Sequence, residues 1–105
     1  MPAPLTDQER ALRAVPEKQL DTDVAKLCRA LGWKRYHTYR SMRSPAGFPD
    51  LTLVRGTRLI FAELKTYLGT VTPEQQEWLD KLKGTFAEVY VWRPGYMQQI
   101  ADTLR

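Results

Sequence analysis

The stretch GFPDLTLVRGTRLIFAELK, from Gly47-Phe48-Pro49-Asp50-Leu51 through Phe61-Ala62-Glu63-Leu64-Lys65, decides how the rest of the chain is read. Two apolar, β-favouring runs, residues 51–54 and 59–64, flank Arg55-Gly56-Thr57-Arg58. Runs of this kind around a short loop read as a β-hairpin, and Gly56 supplies the positive φ that a type II′ turn requires. A two-residue loop at Gly56-Thr57 pairs Arg55 with Arg58, and a four-residue loop closed by Val54 and Leu59 gives the same register. In that register Asp50 falls opposite Glu63, where cross-strand Cβ atoms lie about 4.5–5.5 Å apart. Two carboxylates at such range raise a pKa or need a counter-ion. A hard divalent cation suits, since Mg²⁺ binds through one or two carboxylates, substrate phosphate and water. Lys65, two residues beyond Glu63, points to the same face of the strand. One strand end thus collects two carboxylates and an ammonium, the parts that metal-assisted phosphodiester hydrolysis needs. A cation polarises the phosphate and lowers the pKa of a water, while the lysine orients that water or offsets negative charge.

Both faces of the hairpin are largely apolar, with Thr52, Val54, Leu59 and Phe61 on one and Leu51, Leu53, Ile60, Ala62 and Leu64 on the other. A strand pair of this kind is covered on both sides, which places helices above and below the sheet. Upstream, Pro16 suits a first helical turn, and Leu20, Val24, Leu27, Cys28 and Leu31 recur at helical spacing up to Gly32. Residues 33–39 read as a strand and 40–47 as a basic, turn-forming loop. Downstream, Thr72-Pro73-Glu74-Gln75 reads as an N-cap, a proline at the first helical position and an acidic first turn. That helix shows Trp78, Leu79 and Leu82 on one side and stops near Gly84. Residues 86–92 form the last β-patterned run, Arg93-Pro94-Gly95 ends it, and 96–104 make a final helix with Met97, Ile100 and Leu104 inward. The order α-β-β-β-α-β-α is that of an α/β chain with a mixed sheet, its last strand parallel to its partner after a crossover helix. Residues 1–15 are polar with two prolines. They are expected to be a mobile N-terminal or docking segment with room for a helical turn or two over 6–14. Residues 16–105 are expected to form the single domain.

A chain of 105 residues has material for one modest core, and its net charge of +4 permits a polyanionic partner without demanding one. Its one cysteine, Cys28, excludes an intrachain disulfide or a Cys-rich zinc site and reads as a small core residue on a helix. No apolar run approaches the ~20 residues of a membrane span, and the start lacks the apolar core of a signal peptide. A cytoplasmic location, in a bacterial or phage-infected cell, is the expectation.

Pro49-Asp50 followed by Glu63-Leu64-Lys65 match the PD-(D/E)XK nuclease signature. The blocks GFPDL and FAELK come first in the chain. They are followed by Gly69…Thr72-Pro73-Glu74-Gln75…Trp78-Leu79 and then Val89-Tyr90-Val91-Trp92-Arg93-Pro94. In that order, and within residues 17–104, they resemble the VRR-NUC family, especially its short stand-alone phage and bacterial members. The resemblance implies a restriction-endonuclease-like core and a Mg²⁺ or Mn²⁺ ion held by Asp50 and Glu63, with Lys65 catalytic. It also implies the backbone of Leu64 as a further oxygen ligand. Glu17 occupies the place of the family's first-helix acidic residue that helps hold the metal. Asp21, one turn on, is its rival, and a carboxylate that merely complements a helix N-terminus is the alternative. Gln75 matches a glutamine beside the family's active site, or else is a solvated first-turn residue.

Arg40, Ser41, Arg43 and Ser44 directly precede Asp50, where guanidinium groups can hold phosphates, or where a charged loop simply meets water. Lys34, Arg35, Arg55 and Arg58 are candidates to extend that surface, the last two from a hairpin tip far from Asp50. His37 reads as a strand histidine bonded locally, and Trp33, Trp78 and Trp92 as core and interface mass. Tyr39 and Tyr67 are candidates for base stacking. The resulting expectation is a divalent-metal-dependent DNA endonuclease, a homodimer acting on branched DNA such as four-way junctions in replication or repair. The alternatives are a non-catalytic nucleic-acid-binding module and an interaction subunit of a phage replication or packaging complex tethered by residues 1–15.

Overall fold

The computed structural model describes residues 3–39 and 42–105. Its elements are α1 (Asp7–Ala14), α2 (Glu17–Leu31), β1 (Lys34–His37), β2 (Leu51–Arg55), β3 (Arg58–Leu64), α3 (Pro73–Lys83), β4 (Glu88–Trp92) and α4 (Met97–Leu104). The chain reverses between β2 and β3 at Gly56, whose φ is 58°. The pairing has the expected register, Arg55 opposite Arg58 and Leu51 opposite Ala62. β1 adds antiparallel to β2, and β4 adds parallel to β3 after the α3 crossover, giving the order β1-β2-β3-β4. The mixed sheet expected from the hairpin and the crossover helix is therefore present. The two outer strands are shorter than read from sequence, because residues 33, 38–39 and 86 have β-favouring side chains but, like Ala87, no place in the ladder.

Alternation along the strands divides the two layers. Leu51, Leu53, Ile60, Ala62 and Leu64 point to one face and form one buried cluster with Leu20, Val24 and Cys28 of α2 and Ile100 and Leu104 of α4. Burial raises the pKa of the Cys28 thiol, as a core position should. The opposite face carries Phe61, which meets Phe48 edge-on, and Phe48 in turn meets Trp78 of α3. This second layer is incomplete. α3 lies along β4, so Val54 and Tyr36 at the far side of the sheet stay 43% and 62% exposed.

The end of the hairpin is closed by arginines. Arg55 donates to the carbonyls of Leu31 and Leu104 and to an oxygen of Arg105, joining the ends of α2 and α4 to the turn. Trp33 donates its indole N–H to Leu104 and lies under both guanidinium groups, 4.6 Å from Arg55 and 5.0 Å from Arg58. Arg58 makes a two-pronged bond to Glu88 of β4. At the amino end, α1 is capped by Thr6, and its Leu12 lies against the turn at Gly95. Among the described residues, no helix is long and apolar enough to cross a membrane.

Candidate active site

Each residue of Gly47-Phe48-Pro49-Asp50-Leu51 has a separate job in placing one carboxylate. Gly47 has a φ of 98°, and a Cβ on it would fall 2.6–2.8 Å from backbone atoms of Glu74 and Gln75. The loop therefore rests directly on the first turn of α3. Phe48 fills the gap between Phe61 and Trp78, and Pro49 and Leu51 are buried. Thr38, just past β1, donates its hydroxyl to Pro49 and its N–H to the Asp50 carbonyl, at 2.8 and 2.7 Å. Asp50 then turns its side chain across the strand pair to accept the N–H of Leu64 at 2.8 Å.

Glu63 lies opposite, on the α3 side of the sheet. It is only 2% exposed, the one buried charged residue among those described. Its Oε1 accepts from Gln75 Nε2 at 3.2 Å, while its Oε2 has no hydrogen-bond partner among the described residues. Burial pushes its pKa up to about 9, assisted by the adjacent Asp50 carboxylate and by the charge of Glu17, and opposed by Lys65. When both carboxylates are ionised they cannot hydrogen-bond to each other, so either a proton or a cation must lie between them.

Gln75 reaches Glu63 because of how α3 begins. Thr72 Oγ1 accepts the Gln75 N–H, and Gln75 Oε1 accepts the Thr72 N–H, a reciprocal capping box. With its oxygen used by the cap, the Gln75 amide presents only its NH₂ to Glu63. Thr72, read from sequence as a cap alone, thereby also fixes which end of Gln75 faces the carboxylates. Lys65 continues the β3–β4 pairing by donating its N–H to Trp92 at 3.0 Å.

The other candidates separate. Glu17, at the start of α2, is near enough for its charge to act on Glu63. Asp21 is engaged elsewhere, accepting from Arg35 and lying 3.7 Å from His37 Nε2. At that distance Asp21 is not hydrogen-bonded to His37, and the buried Nδ1 of His37 has no hydrogen-bond partner among the described residues, so the local bond expected for it is not seen. Arg43 and Ser44 are exposed on the loop before Asp50, and Arg40 and Ser41 lie outside the described residues. Lys34 is exposed and Tyr39 is 81% exposed, whereas Tyr67 is half-buried. Arg35, Arg55 and Arg58 are corrected: their guanidinium groups are held in the internal bonds to Asp21, helix-end carbonyls and Glu88, not spread as a phosphate-binding surface. Sequence reading missed Thr38, which carries no motif signal. It also missed the contact of Gly47 with α3, for which a glycine before a buried Phe-Pro was a usable hint.

Among the described residues, no three His, Cys, Asp or Glu side chains close into a group able to hold a metal unaided. Asp50 and Glu63 instead offer a two-carboxylate, all-oxygen set with one buried oxygen unpartnered. Such a set fits Mg²⁺ or Mn²⁺, which bind through few protein ligands and retain water, and does not fit zinc.

The model of the VRR-NUC domain matches residues 2–93 of the chain. A solved structure described as a VRR-NUC domain superposes with a TM-score of 0.68 at 23% identity, over 84% of this chain and 91% of that one. A search of curated proteins found no match. A match over nearly the whole length, together with the shared fold, establishes that the chain belongs to the VRR-NUC domain family, a nuclease-type, DNA-binding domain.

Proposed function

We propose that the protein is a Mg²⁺- or Mn²⁺-dependent DNA endonuclease whose site is centred on Asp50, Glu63 and Lys65. The observation that carries this reading is the buried Glu63 facing Asp50, with an oxygen unpartnered and a pKa far above the carboxylate range. Burying a carboxylate in this way destabilises a fold unless something compensates. It lies on the strand end that also carries Lys65, so the groups a metal-assisted hydrolysis uses share one place. Asp50 and Glu63 would hold the ion, with the Leu64 carbonyl and Glu17 contributing. When bound, it supplies positive charge to the phosphate and makes a water more acidic.

The remaining steps belong to the chain's own groups. Gln75 Nε2, already donating to Glu63, holds that carboxylate in one orientation and offers its second N–H to water or phosphate. The Leu64 N–H likewise holds the Asp50 carboxylate in one orientation. Lys65 places an ammonium beside the carboxylates, where it orients the attacking water or offsets charge gathering on the phosphate oxygens. Arg43 and Ser44, with Arg40 and Ser41, are proposed to hold the DNA backbone next to the cut.

Selectivity for branched DNA and a homodimer complete the proposal. Two copies related by a two-fold axis would present two sites to two strands, and the exposed Tyr36 and Val54 leave apolar surface for a second copy. The test is incubation with linear duplex, flap and four-way-junction DNA in Mg²⁺, Mn²⁺ or chelator. Cleavage that needs the divalent ion and is fastest on the junction is expected. Binding to all three without cleavage in either metal would overturn the enzymatic reading in favour of a binding module. A monomer mass by light scattering with junction DNA present would overturn the dimer.

A further inference from the structure

Lys65 is the last residue before the chain leaves the sheet, and a flexible lysine there would gain little from its position. The structure shows how its backbone and the stem of its side chain are held. Its N–H is bonded to Trp92, and the chain then turns sharply, with the Gly69 N–H donating to the Thr66 carbonyl at 3.2 Å. A Cβ on Gly69 would lie 2.8 Å from Thr66 Oγ1 and 3.6 Å from Lys65 Cδ, so this turn folds back onto the stem of Lys65. Arg93, immediately after β4, closes the arrangement. One of its guanidinium nitrogens, Nη1, donates to the carbonyls of both Thr66 and Gly69, the first at 2.9 Å. Residues 66–69 form no ladder and belong to no helix. Among the described residues, the hydrogen bonds to this backbone are the one within the turn and the two from this nitrogen.

We infer that Arg93 is a positioning residue for Lys65, acting through the 66–69 turn, in the nuclease proposed above and resting on that reading. The chain of contacts is short: guanidinium to two carbonyls, turn to lysine stem, stem to the ammonium beside Asp50 and Glu63. A planar guanidinium suits this task because its rigid plane fixes the direction of every N–H, whereas a lysine's single nitrogen swings on a flexible stem. Displacing a reacting group by about 1 Å costs on the order of 100-fold in rate. A modest relaxation of the turn is therefore enough to register in cleavage.

The experiment compares the parent, Arg93→Lys, Arg93→Ala, Lys65→Ala and the Arg93→Ala/Lys65→Ala pair, with thermal melting to confirm that each is folded. Arg93→Ala is expected to lower kcat by about 10- to 100-fold with KM nearly unchanged, and Arg93→Lys to recover part of the loss. In the Lys65→Ala background, removing Arg93 should cause no further drop, because there is no ammonium left to misplace. An equal loss in both backgrounds, or a change confined to KM, would overturn the inference and give Arg93 a structural or DNA-binding role instead. A second readout needs neither metal nor DNA. In lysine labelled with ¹³C at Cε, the two Cε protons of a held Lys65 have distinct shifts, and in Arg93→Ala they should merge while other lysines are unchanged. Unaltered Lys65 signals would sink the inference outright. If Lys65→Ala cuts as fast as the parent, the catalytic role of Lys65 fails, and the labelled-lysine spectra still decide whether Arg93 positions it.

Discussion

Glu63 is a carboxylate whose folded state prefers the proton, and this has a direct consequence for stability. Its pKa rises from an ordinary 4.5 to about 9, so between those values the folded protein keeps a proton that the unfolded chain has released. Stability from this group is therefore fully present below the ordinary value and is lost as pH rises towards about 9. In chelator, the melting temperature of the parent should fall across that interval, and Glu63→Gln, which is neutral throughout, should melt along a flatter curve and higher at pH 8. Parallel curves would mean that Glu63 is not strained in the metal-free protein. Lys65 gives the second prediction at this scale. Lys65→Ala should reduce cleavage in saturating Mg²⁺ by at least about 100-fold, the lower end of what a positioned proton donor or acceptor supplies. DNA affinity measured in chelator should stay within about threefold, since one surface cation contributes little. Cleavage at the parental rate would remove Lys65 from the mechanism.

The hairpin and α3 meet at Gly47, and this junction is where the elements constrain one another. A side chain there meets the α3 backbone and must also adopt a left-handed φ. Gly47→Ala should cost about 2–5 kcal/mol, combining roughly 1–2 for the backbone conformation with about 1–3 for overpacking. Equilibrium denaturation should show the loss, and activity should fall further than stability accounts for, because Gln75 moves with the helix start. A change below about 1 kcal/mol would show that the loop does not lean on α3 as described. Much of this level was legible in the sequence. The hairpin register followed from the turn residues and the apolar runs, and it sets residue 50 across the strand pair from residue 63. The α3 start was equally plain, because Thr-Pro-Glu-Gln satisfies several local rules at once. What could not be read were contacts between segments with no periodic relation, namely Thr38 with Pro49 and Asp50, and Gly47 with α3. Strand ends were overrun for a related reason: β propensity reports side-chain preference, whereas a ladder ends when its partner does.

Across the molecule, exposed and internally bonded basic side chains differ in what they can contribute to DNA binding. Arg55 and Arg58 read as basic patch residues in the sequence, yet Trp33 and the helix-end carbonyls take them up, a use that depends on where α2 and α4 end and so is invisible to a linear reading. Arg43 stands on the exposed loop before Asp50. The salt dependence of DNA binding separates the two classes. Arg43→Ala should reduce the slope of log affinity against log salt by about 1, whereas Arg55→Ala should leave the slope alone and instead cost about 1.5–3 kcal/mol of folding stability. The opposite pattern would reassign Arg55 to the DNA surface. Trp33 and Arg55 also anchor the final residues of α4 at the hairpin tip, five strand residues from Asp50. At about 3.3 Å per residue that separation is roughly 17 Å. A dye or a bead linker attached at residue 105 would accordingly depart from a fixed point remote from Asp50 and Glu63. Residue 105 is thus a handle for immobilisation or single-molecule ranging that leaves the face bearing Asp50 and Glu63 unencumbered.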